Sequence, residues 1–398
     1  MTDTSRKKIL LGVTGGIAAY KAAELVRRLS ERDIEVHVVM TQAACGFITP
    51  VTMQALSGNP AYTDMWDPRI RDNMAHIELS RDKALIVIAP ATADFMAKLA
   101  SGLADDLLST LCLARDCPLV VAPAMNRQMW EHPATQRNVA QLRADGVEVL
   151  GPASGGQACG EVGMGRMLEA PQIAEAVAAL LAPKSLHGVR MLITAGPTFE
   201  AVDAVRGLTN KSSGKMGYAV ARAAVEAGAH VTLISGPTSL SAPYKVERVD
   251  VVSADDMLSA VKQHVSHAEV FVSVAAVADY RPAQVSEQKI KKTDSARILE
   301  LVPNTDILAW VAALPKPPFC VGFAAESENL AQYAEEKRKR KKLPLLAANL
   351  AQHAIGADDN EITLFDDQGS HALPRAPKEV VARQLVAHIA KLYKQSHL

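Results

Sequence analysis

A chain of 398 residues is too long for one ordinary hydrophobic core, so two domains are expected. Apolar residues make up 48% of it but aromatics only 4%, leaving the apolar content to Ala, Val, Leu and Ile, the palette of sheets covered by small-residue helices. Lys+Arg and Asp+Glu both number 43, which argues against a globally basic nucleic-acid binder or membrane-surface protein and makes any anion site a local one.

The five cysteines, Cys45, Cys112, Cys117, Cys159 and Cys320, are odd in number and lack Cys-x-x-Cys pairing. They read as the reduced thiols of a cytoplasmic protein rather than a zinc site or disulfide framework. The basic start Arg6-Lys7-Lys8 leads into an apolar run too short for a secretion signal, and no stretch approaches transmembrane length. The Asn210-Lys-Ser212 sequon therefore carries no meaning.

Short apolar runs alternate with helical patterns throughout, the signature of parallel α/β layers. In the first half, strands are expected at Ile9–Val13, Ile34–Met40, Ala84–Ala89, Leu119–Ala122 and Val147–Leu150, with a helix at Ile17–Leu29. The first strand runs into Gly12-Val-Thr-Gly-Gly16, a small-residue turn whose N–H groups can dock a phosphate. Ala89–Asp94 and Ala122–Asn126 each follow a strand's carboxyl end, the edge at which open α/β sheets bind ligands. By themselves, His76 suits a satisfied surface histidine as well as a neutral base, and Asn126 suits a helix cap. The segment Gly151–Arg166 sets Cys159 among Gly155, Gly156, Gly160, Gly163 and Gly165. It reads either as a flexible lid carrying a catalytic thiol or as a long surface loop with an incidental cysteine.

An alanine-rich helix at Pro171–Leu181 leads into Ala182–Gly188, which reads as a linker dividing the chain into domains 1–184 and 185–398. The count restarts with strands at Arg190–Thr194, Val231–Ile234, Val270–Ser273, Cys320–Ala324 and Leu345–Ala348, and a closing helix at Pro377–Tyr393. The first of these enters the turn Ala195-Gly-Pro-Thr198. Neither half has Gly-x-Gly-x-x-Gly, and the second strands end in Met40-Thr-Gln-Ala and Ile234-Ser-Gly-Pro, without the acid that holds a dinucleotide ribose. NAD is disfavoured and a mononucleotide fits better. Thr209–Gly217 gathers serines, backbone amides and Lys215 at a helix start expected near Gly217, a phosphate cradle without P-loop spacing, worth roughly 0.3–1 kcal/mol from the helix dipole. The cations Lys337–Lys342 form a solvated helix face or a nucleic-acid patch. Without interleaved aromatics, nucleic acid is not expected.

Five motifs in order, Gly15-Gly-Ile-Ala-Ala-Tyr-Lys21, His76-Ile-Glu-Leu79, Pro90-Ala-Thr-Ala-Asp94, Pro123-Ala-Met-Asn126 and Ala158-Cys-Gly160 with Gly165-Arg-Met167, resemble the flavin-containing cysteine decarboxylases. More specifically, they resemble the decarboxylase half of the bifunctional phosphopantothenoylcysteine decarboxylase/phosphopantothenate–cysteine ligases. Residues 188–395 resemble the ligase half of the same family. The resemblance implies two doubly wound Rossmann-like domains, the first flavodoxin-like. It implies FMN held by Gly15, Gly16, Ile17, Lys21, Thr41, Pro90, Ala91, Thr92, Ser109 and Met125 between subunits of a trimer, with His76, Asn126 and Cys159 catalytic. A cysteinyl carboxylate has no electron sink, and flavin creates one by oxidising the thiol-bearing carbon.

For the second domain, the resemblance implies CTP activating 4'-phosphopantothenate as an acyl-cytidylate that cysteine attacks. CTP would be held by Ser212, Ser273, Val274, Ala275, Asp279, Lys289, Asn304, Thr305, Asp306, Ile307, Phe323, Lys337 and Lys341. Asp279 would bind Mg2+ or Mn2+, Lys289 would meet developing charge, and Asn210 would orient the acyl intermediate. The implied partners are the small molecules 4'-phosphopantothenate, L-cysteine, CTP and phosphopantothenoylcysteine, plus self-association, the ligase domain as a dimer, with no nucleic acid and no membrane. One departure is visible: the family's Pro-Thr-Arg-Glu-Pro reads Pro197-Thr-Phe-Glu-Ala201 here, so Phe199 cannot supply the arginine's charge. Two other readings compete: a flavin-dependent decarboxylase or prenyltransferase-like protein of the same flavoprotein superfamily whose second half only binds nucleotide, and a nucleotide-sensing regulatory subunit on the same fold.

Overall fold

The computed structural model describes residues 6–70, 74–158, 160–292, 298–326, 329–350 and 356–397. The chain forms two compact units, Met1–Leu181 and Ala182–Leu398.

The sheet of the first unit is built from β1 (Lys7–Val13), β2 (Ile34–Met40), β3 (Ala61–Tyr62), β4 (Leu85–Ala91), β5 (Leu119–Pro123) and β6 (Glu148–Val149). Among the described residues these strands are all parallel, in the order β3-β2-β1-β4-β5-β6. With the two-residue β3 set aside, the order becomes the flavodoxin-like 2-1-3-4-5. The central strands read as unbroken Ile/Leu/Val runs because helices cover both faces; every residue of β4 is buried. The helix Tyr20–Ser30 turns Ala22, Leu25, Val26 and Leu29 inward at the three-to-four-residue spacing of one face. It opens one turn later than its sequence suggests, because Ile17–Ala19 form a 3-10 turn first.

The segment expected as a loop around Cys159 is partly a hairpin, β7 (Ala153–Gly156) paired with β8 (Val162–Arg166). Two of its glycines, Gly163 and Gly165, permit close approach. A Cβ on Gly165 would lie 2.4 Å from the Met125 carbonyl oxygen, and one on Gly163 would lie 2.4 Å from Arg127 Cδ.

The second unit holds β9 (Arg190–Ala195), β10 (Phe199–Ala201), β11 (Gly207–Thr209), β12 (His230–Ser235), β13 (Val246–Asp250), β14 (Val270–Ser273), β15 (Tyr280–Pro282), β16 (Leu301–Pro303), β17 (Phe319–Glu326), β18 (Leu345–Leu350), β19 (Asp359–Asp366) and β20 (Gly369–Pro377). Its main sheet runs β13-β12-β9-β14-β17-β18-β19-β20. The first six are parallel in the order 3-2-1-4-5-6, while β19 and β20 add an antiparallel edge that the sequence patterning had not indicated. Two small antiparallel ribbons, β10–β11 and β15–β16, stand apart from it.

Residues 182–188, expected as a linker, instead dock on the second unit. Leu186 is buried and its N–H donates to Ala227 O (2.8 Å), Gly188 N–H donates to Gly228 O (3.1 Å), and Lys184 Nζ reaches Glu226 O (3.0 Å). Among the described residues, no helix is long and apolar enough to cross a membrane.

Candidate functional sites

In each unit the strand order reverses beside the first strand, leaving a crevice at the carboxyl ends where ligands of open α/β sheets bind. In the first unit that crevice lies between β1 and β4. The Thr14 hydroxyl closes it from below, donating to Pro90 O (2.7 Å) and accepting from Thr92 N–H (3.1 Å). Thr92 and Thr41 cap the following helices, accepting from Phe95 N–H and Ala44 N–H (both 3.2 Å). Thr41 is also tied to β1 through Val13 O (3.0 Å). Gly15 is required by packing, since its Cβ would lie 2.4 Å from that of Ala43, whereas a Cβ on Gly16 would meet only Thr92 Cγ2, at 3.7 Å. Gly15, Gly16, Ile17, Thr41, Pro90, Ala91 and Thr92 thus share one edge, open above Gly16. Ala124 N–H donates to Ala91 O (3.0 Å), which brings Met125 and Asn126 alongside. Uncharged turns and hydroxyls over an open cradle fit a flavin phosphate and ring.

Two of the expected flavin ligands are occupied within the fold. Lys21 is buried and donates to Met167 O (3.1 Å) and Glu169 (2.9 Å), pinning the first helix to the segment after β8. The buried Ser109 hydroxyl completes a capping box with Asp106. Both side chains hold the scaffold.

His76 sits on the short helix Ala75–Ser80, half-buried, and among the described residues its buried Nδ1 has no hydrogen-bond partner. Asn126 is a helix cap, as the plainer reading had it: it accepts from Met129 N–H (3.0 Å) while Nδ2 donates to Gln128 (3.0 Å). The hairpin is stapled to this cap. Gln157 Oε1 accepts from Arg127 N–H (3.0 Å), Met125 N–H donates to Gly165 O (3.0 Å), and Gln128 Nε2 reaches Glu161 (2.8 Å). The motif at 123–126 and the glycine segment, distant in sequence, are therefore one structure. Cys159 lies outside the described residues.

In the second unit the equivalent crevice is a cleft of about 490 Å3. Every nucleotide-binding residue expected there except Lys289 lines it: Ser212, Ser273, Val274, Ala275, Asp279, Asn304, Thr305, Asp306, Ile307, Phe323, Lys337 and Lys341, with Asn210 among them. The helix Lys215–Glu226 begins two residues earlier than expected, after Gly214 in the left-handed region (φ 77°), and has no side-chain cap. Its uncapped first-turn N–H groups are free to meet an anion. Gly217 lets this helix close on β9, as a Cβ there would lie 2.5 Å from that of Ala195. Asn304 laces the opposite wall, donating to Asp279 O and Ala278 O (both 2.8 Å), and Asn210 Nδ2 donates to Ala276 O (2.9 Å).

Four lysine ammoniums line the cleft besides Lys211: Lys215, Lys337, Lys341 and Lys378. Lys378, which the motifs missed, has no local signature because a strand-to-helix junction far along the chain brings it in. Burial, then the charge of Lys215, push its pKa down, so an arriving anion would relieve it. Of the two lining carboxylates, Asp306 is engaged by Lys341 (2.5 Å) and caps the helix Ile307–Ala312 through Ala309 N–H (2.9 Å). Burial works to raise its pKa, but Lys341 and that N–H outweigh burial and hold it below the usual carboxylate range. Asp279 is exposed at the rim, and among the described residues its carboxylate has no protein partner. A free carboxylate facing lysines is the donor set for a divalent cation carried by a polyphosphate.

Lys289 is exposed on a segment held elsewhere. The adjoining Ile290 N–H donates to Asp203 (3.0 Å), and Arg206 reaches Ile290 O (2.8 Å). Asp203 is buried and also receives Arg206 and the N–H groups of Val205 and Arg206; the guanidinium above all drives its pKa far down. Phe199 belongs to this region too. Its ring covers Gly207, and it lines a separate groove with Val252, Arg281 and Val285, away from the lysines.

A family model described as Flavoprotein matches residues 1–182, and one described as DNA/pantothenate metabolism flavoprotein C-terminal domain matches residues 186–393. The coenzyme A biosynthesis bifunctional protein CoaBC of Vibrio vulnificus (strain CMCP6) is 51% identical over 398 residues, covering 98% of this chain and 99% of that protein. Its Escherichia coli (strain K12) counterpart is 47% identical over 399 residues, covering 98% of each. A crystal structure of the C-terminal domain of a CoaBC protein is 40% identical with a TM-score of 0.47, covering 53% of this chain and 99% of that one. Near-complete coverage at this identity, with both family models in order, means that this chain belongs to the bifunctional coenzyme A biosynthesis protein family, a flavoprotein domain followed by a pantothenate-metabolism domain.

Proposed function

We propose that the chain converts 4'-phosphopantothenate to 4'-phosphopantetheine in two steps, with residues 185–398 as a CTP-dependent phosphopantothenate–cysteine ligase and residues 1–184 as an FMN-dependent phosphopantothenoylcysteine decarboxylase. The observation that carries this reading is the second unit's cleft, where an uncapped helix start, five lysines and a carboxylate unpartnered among the described residues converge.

In the ligase step, Lys337, Lys341 and the amides after Gly214 hold CTP, while Phe323 and residues 273–275 and 304–307 enclose its base and ribose. Asp279 holds the Mg2+ or Mn2+ that accompanies the triphosphate. This neutralisation lets the substrate carboxylate attack the α-phosphate, pyrophosphate leaves, and the cysteine amine displaces CMP from the acyl-cytidylate that Asn210 orients. Lys289 reaches the developing charge once its segment leaves Asp203.

In the decarboxylase step, bound FMN supplies reversible two-electron oxidation of the thiol-bearing carbon. His76 accepts the thiol proton, and its orphaned Nδ1 supports this, since a buried nitrogen lacking a protein partner is available to a ligand. Asn126 orients the carboxylate when Nδ2 exchanges Gln128 for substrate. Cys159 returns a proton at the end. Exposed Ile17, Tyr20, Phe47 and Val51, on the elements after β1 and β2, support a trimer of this unit. The ligase unit is read as a dimer and the enzyme as cytoplasmic.

The test is to incubate the protein with 4'-phosphopantothenate, cysteine, CTP and Mg2+ and identify products by mass. The expected products are CMP, pyrophosphate and 4'-phosphopantetheine, with flavin-stripped protein halting at phosphopantothenoylcysteine. No pyrophosphate release would overturn the ligase reading.

A further inference from the structure

The second unit carries a cluster that neither reaction uses. Asp366 ends β19, His371 lies near the start of β20, and His388 lies on the helix Lys378–Gln395. Phe365 pairs with Leu346 at the beginning of β18, whereas Asn349 near the end of β18 lines the cleft. The cluster is therefore toward the other edge of the sheet.

Its geometry is convergent. The Asp366 side chain is 1% exposed, and its Oδ2 lies 2.7 Å from His388 Nε2 and 3.1 Å from His371 Nε2. The two rings are tilted at 51° with centroids 4.9 Å apart, so they share the carboxylate instead of stacking. One ligand atom from each residue lies within 4.8 Å of the others. Oδ1 accepts from Gln368 N–H (2.7 Å), an outer contact that fixes the carboxylate as a metal ligand needs. His388 Nε2 bears on Oδ2, while His371 Nε2 straddles the carboxylate, 3.1 Å from Oδ2 and 3.2 Å from Oδ1, so both imidazoles converge on one carboxylate whose place between them a cation could share. His371 is 35% exposed, which leaves a side open for a water ligand.

We propose that Asp366, His371 and His388 form a binding site for a divalent transition metal of the zinc class, joining the β19–β20 hairpin to the last helix. Two imidazoles and a carboxylate suit borderline metals, whereas Mg2+ takes oxygen ligands and keeps its waters. The site is thus chemically distinct from the Asp279 rim and does not depend on the proposed reaction.

The experiment uses the full-length protein stripped with chelator, in wild-type form and as His371→Gln, the most exposed ligand and so the safest for folding. Co2+ should give wild type the visible d–d bands of a low-coordinate nitrogen and oxygen site without thiolate charge-transfer absorption, and Zn2+ should displace it with one equivalent and raise the thermal midpoint. His371→Gln should weaken Zn2+ binding by more than the roughly 10–100-fold that outer-shell partners contribute, and should abolish the rise in midpoint. Equal Zn2+ binding by the two proteins, or thiolate bands with Co2+, would overturn the assignment.

Discussion

Both units place six parallel strands in the order third, second, first, fourth, fifth, sixth, yet their crevices are equipped in opposite ways. The second unit surrounds its crevice with lysines and an uncapped helix start, groups that favour an anion. The first offers hydroxyls, glycine turns and backbone, and among the described residues holds its buried Lys21 in a structural ion pair and leaves His76 Nδ1 without a partner. Shared topology fixes where a ligand sits, while local charge and enclosure decide which ligand it is and whether the site is finished without a neighbour.

The largest effects should fall on the first unit and leave the second untouched. His76→Asn should cut CO2 release from phosphopantothenoylcysteine by about 10²–10⁴-fold, the worth of a positioned base, with CTP-dependent pyrophosphate release unchanged. Cys159→Ser should still release CO2 but accumulate the oxidised aminoenethiol, because an alcohol is a far weaker acid than a thiol of ordinary pKa near 8.5. Loss of ligation in either variant would show that the units are not chemically separate.

Within the second unit the two lysine environments sharpen the contrast. Lys341 lines the cleft, 11% exposed, whereas Lys289 is exposed outside it. Lys289→Gln should lower ligase turnover by about 10²–10³-fold with little change in the CTP KM, the mark of a contact made only in the transition state. Lys341→Gln should raise the CTP KM and leave turnover closer to wild type. Steady-state constants for both variants decide, and identical signatures would remove the proposed movement of the Lys289 segment.

The central strands were legible because burial on both faces leaves a pure apolar run, and the crevice residues because ligands gather where such runs end. What escaped the sequence was long-range or conformational. Lys378 reaches the cleft only through the fold, the β19–β20 edge mixes polar and apolar residues without a clean alternation, and Ala182–Gly188 has a linker's composition although Leu186 is buried. Glycines 163 and 165 looked like flexibility and are close-contact positions against Arg127 and Met125. Family resemblance pointed to Lys21 and Ser109 as flavin ligands but could not reveal that their polar atoms are engaged within the fold.

A smaller effect comes from helix placement. Gly217→Ala puts a Cβ 2.5 Å from that of Ala195 in a backbone-lined contact, so overpacking should destabilise the second unit by about 1–3 kcal/mol. Denaturation followed through ligase activity should shift to lower denaturant while flavin release from the first unit does not. A common shift would mean that the units unfold together.

The smallest expected effect is the acid sensitivity of the Asp306–Lys341 pair. The Asp306 carboxyl is held below its ordinary pKa, so its contribution is complete above the unfolded carboxylate value, near 3.9, and is lost as pH falls through the lower folded value. Asp306 is half exposed, which limits the pair to no more than about 1 kcal/mol. Asp306→Asn is the informative variant because asparagine caps a helix as well as aspartate, so only the charge is removed. Wild type should melt slightly higher than the variant near neutrality, and the gap should close on acidification. The first unit, with no comparable lysine pair in its crevice among the described residues, should show no such convergence when followed by flavin fluorescence. A gap that persists unchanged into acid would mean that the difference does not come from the carboxylate's charge, and that the Asp306–Lys341 pair adds nothing to the second unit's stability.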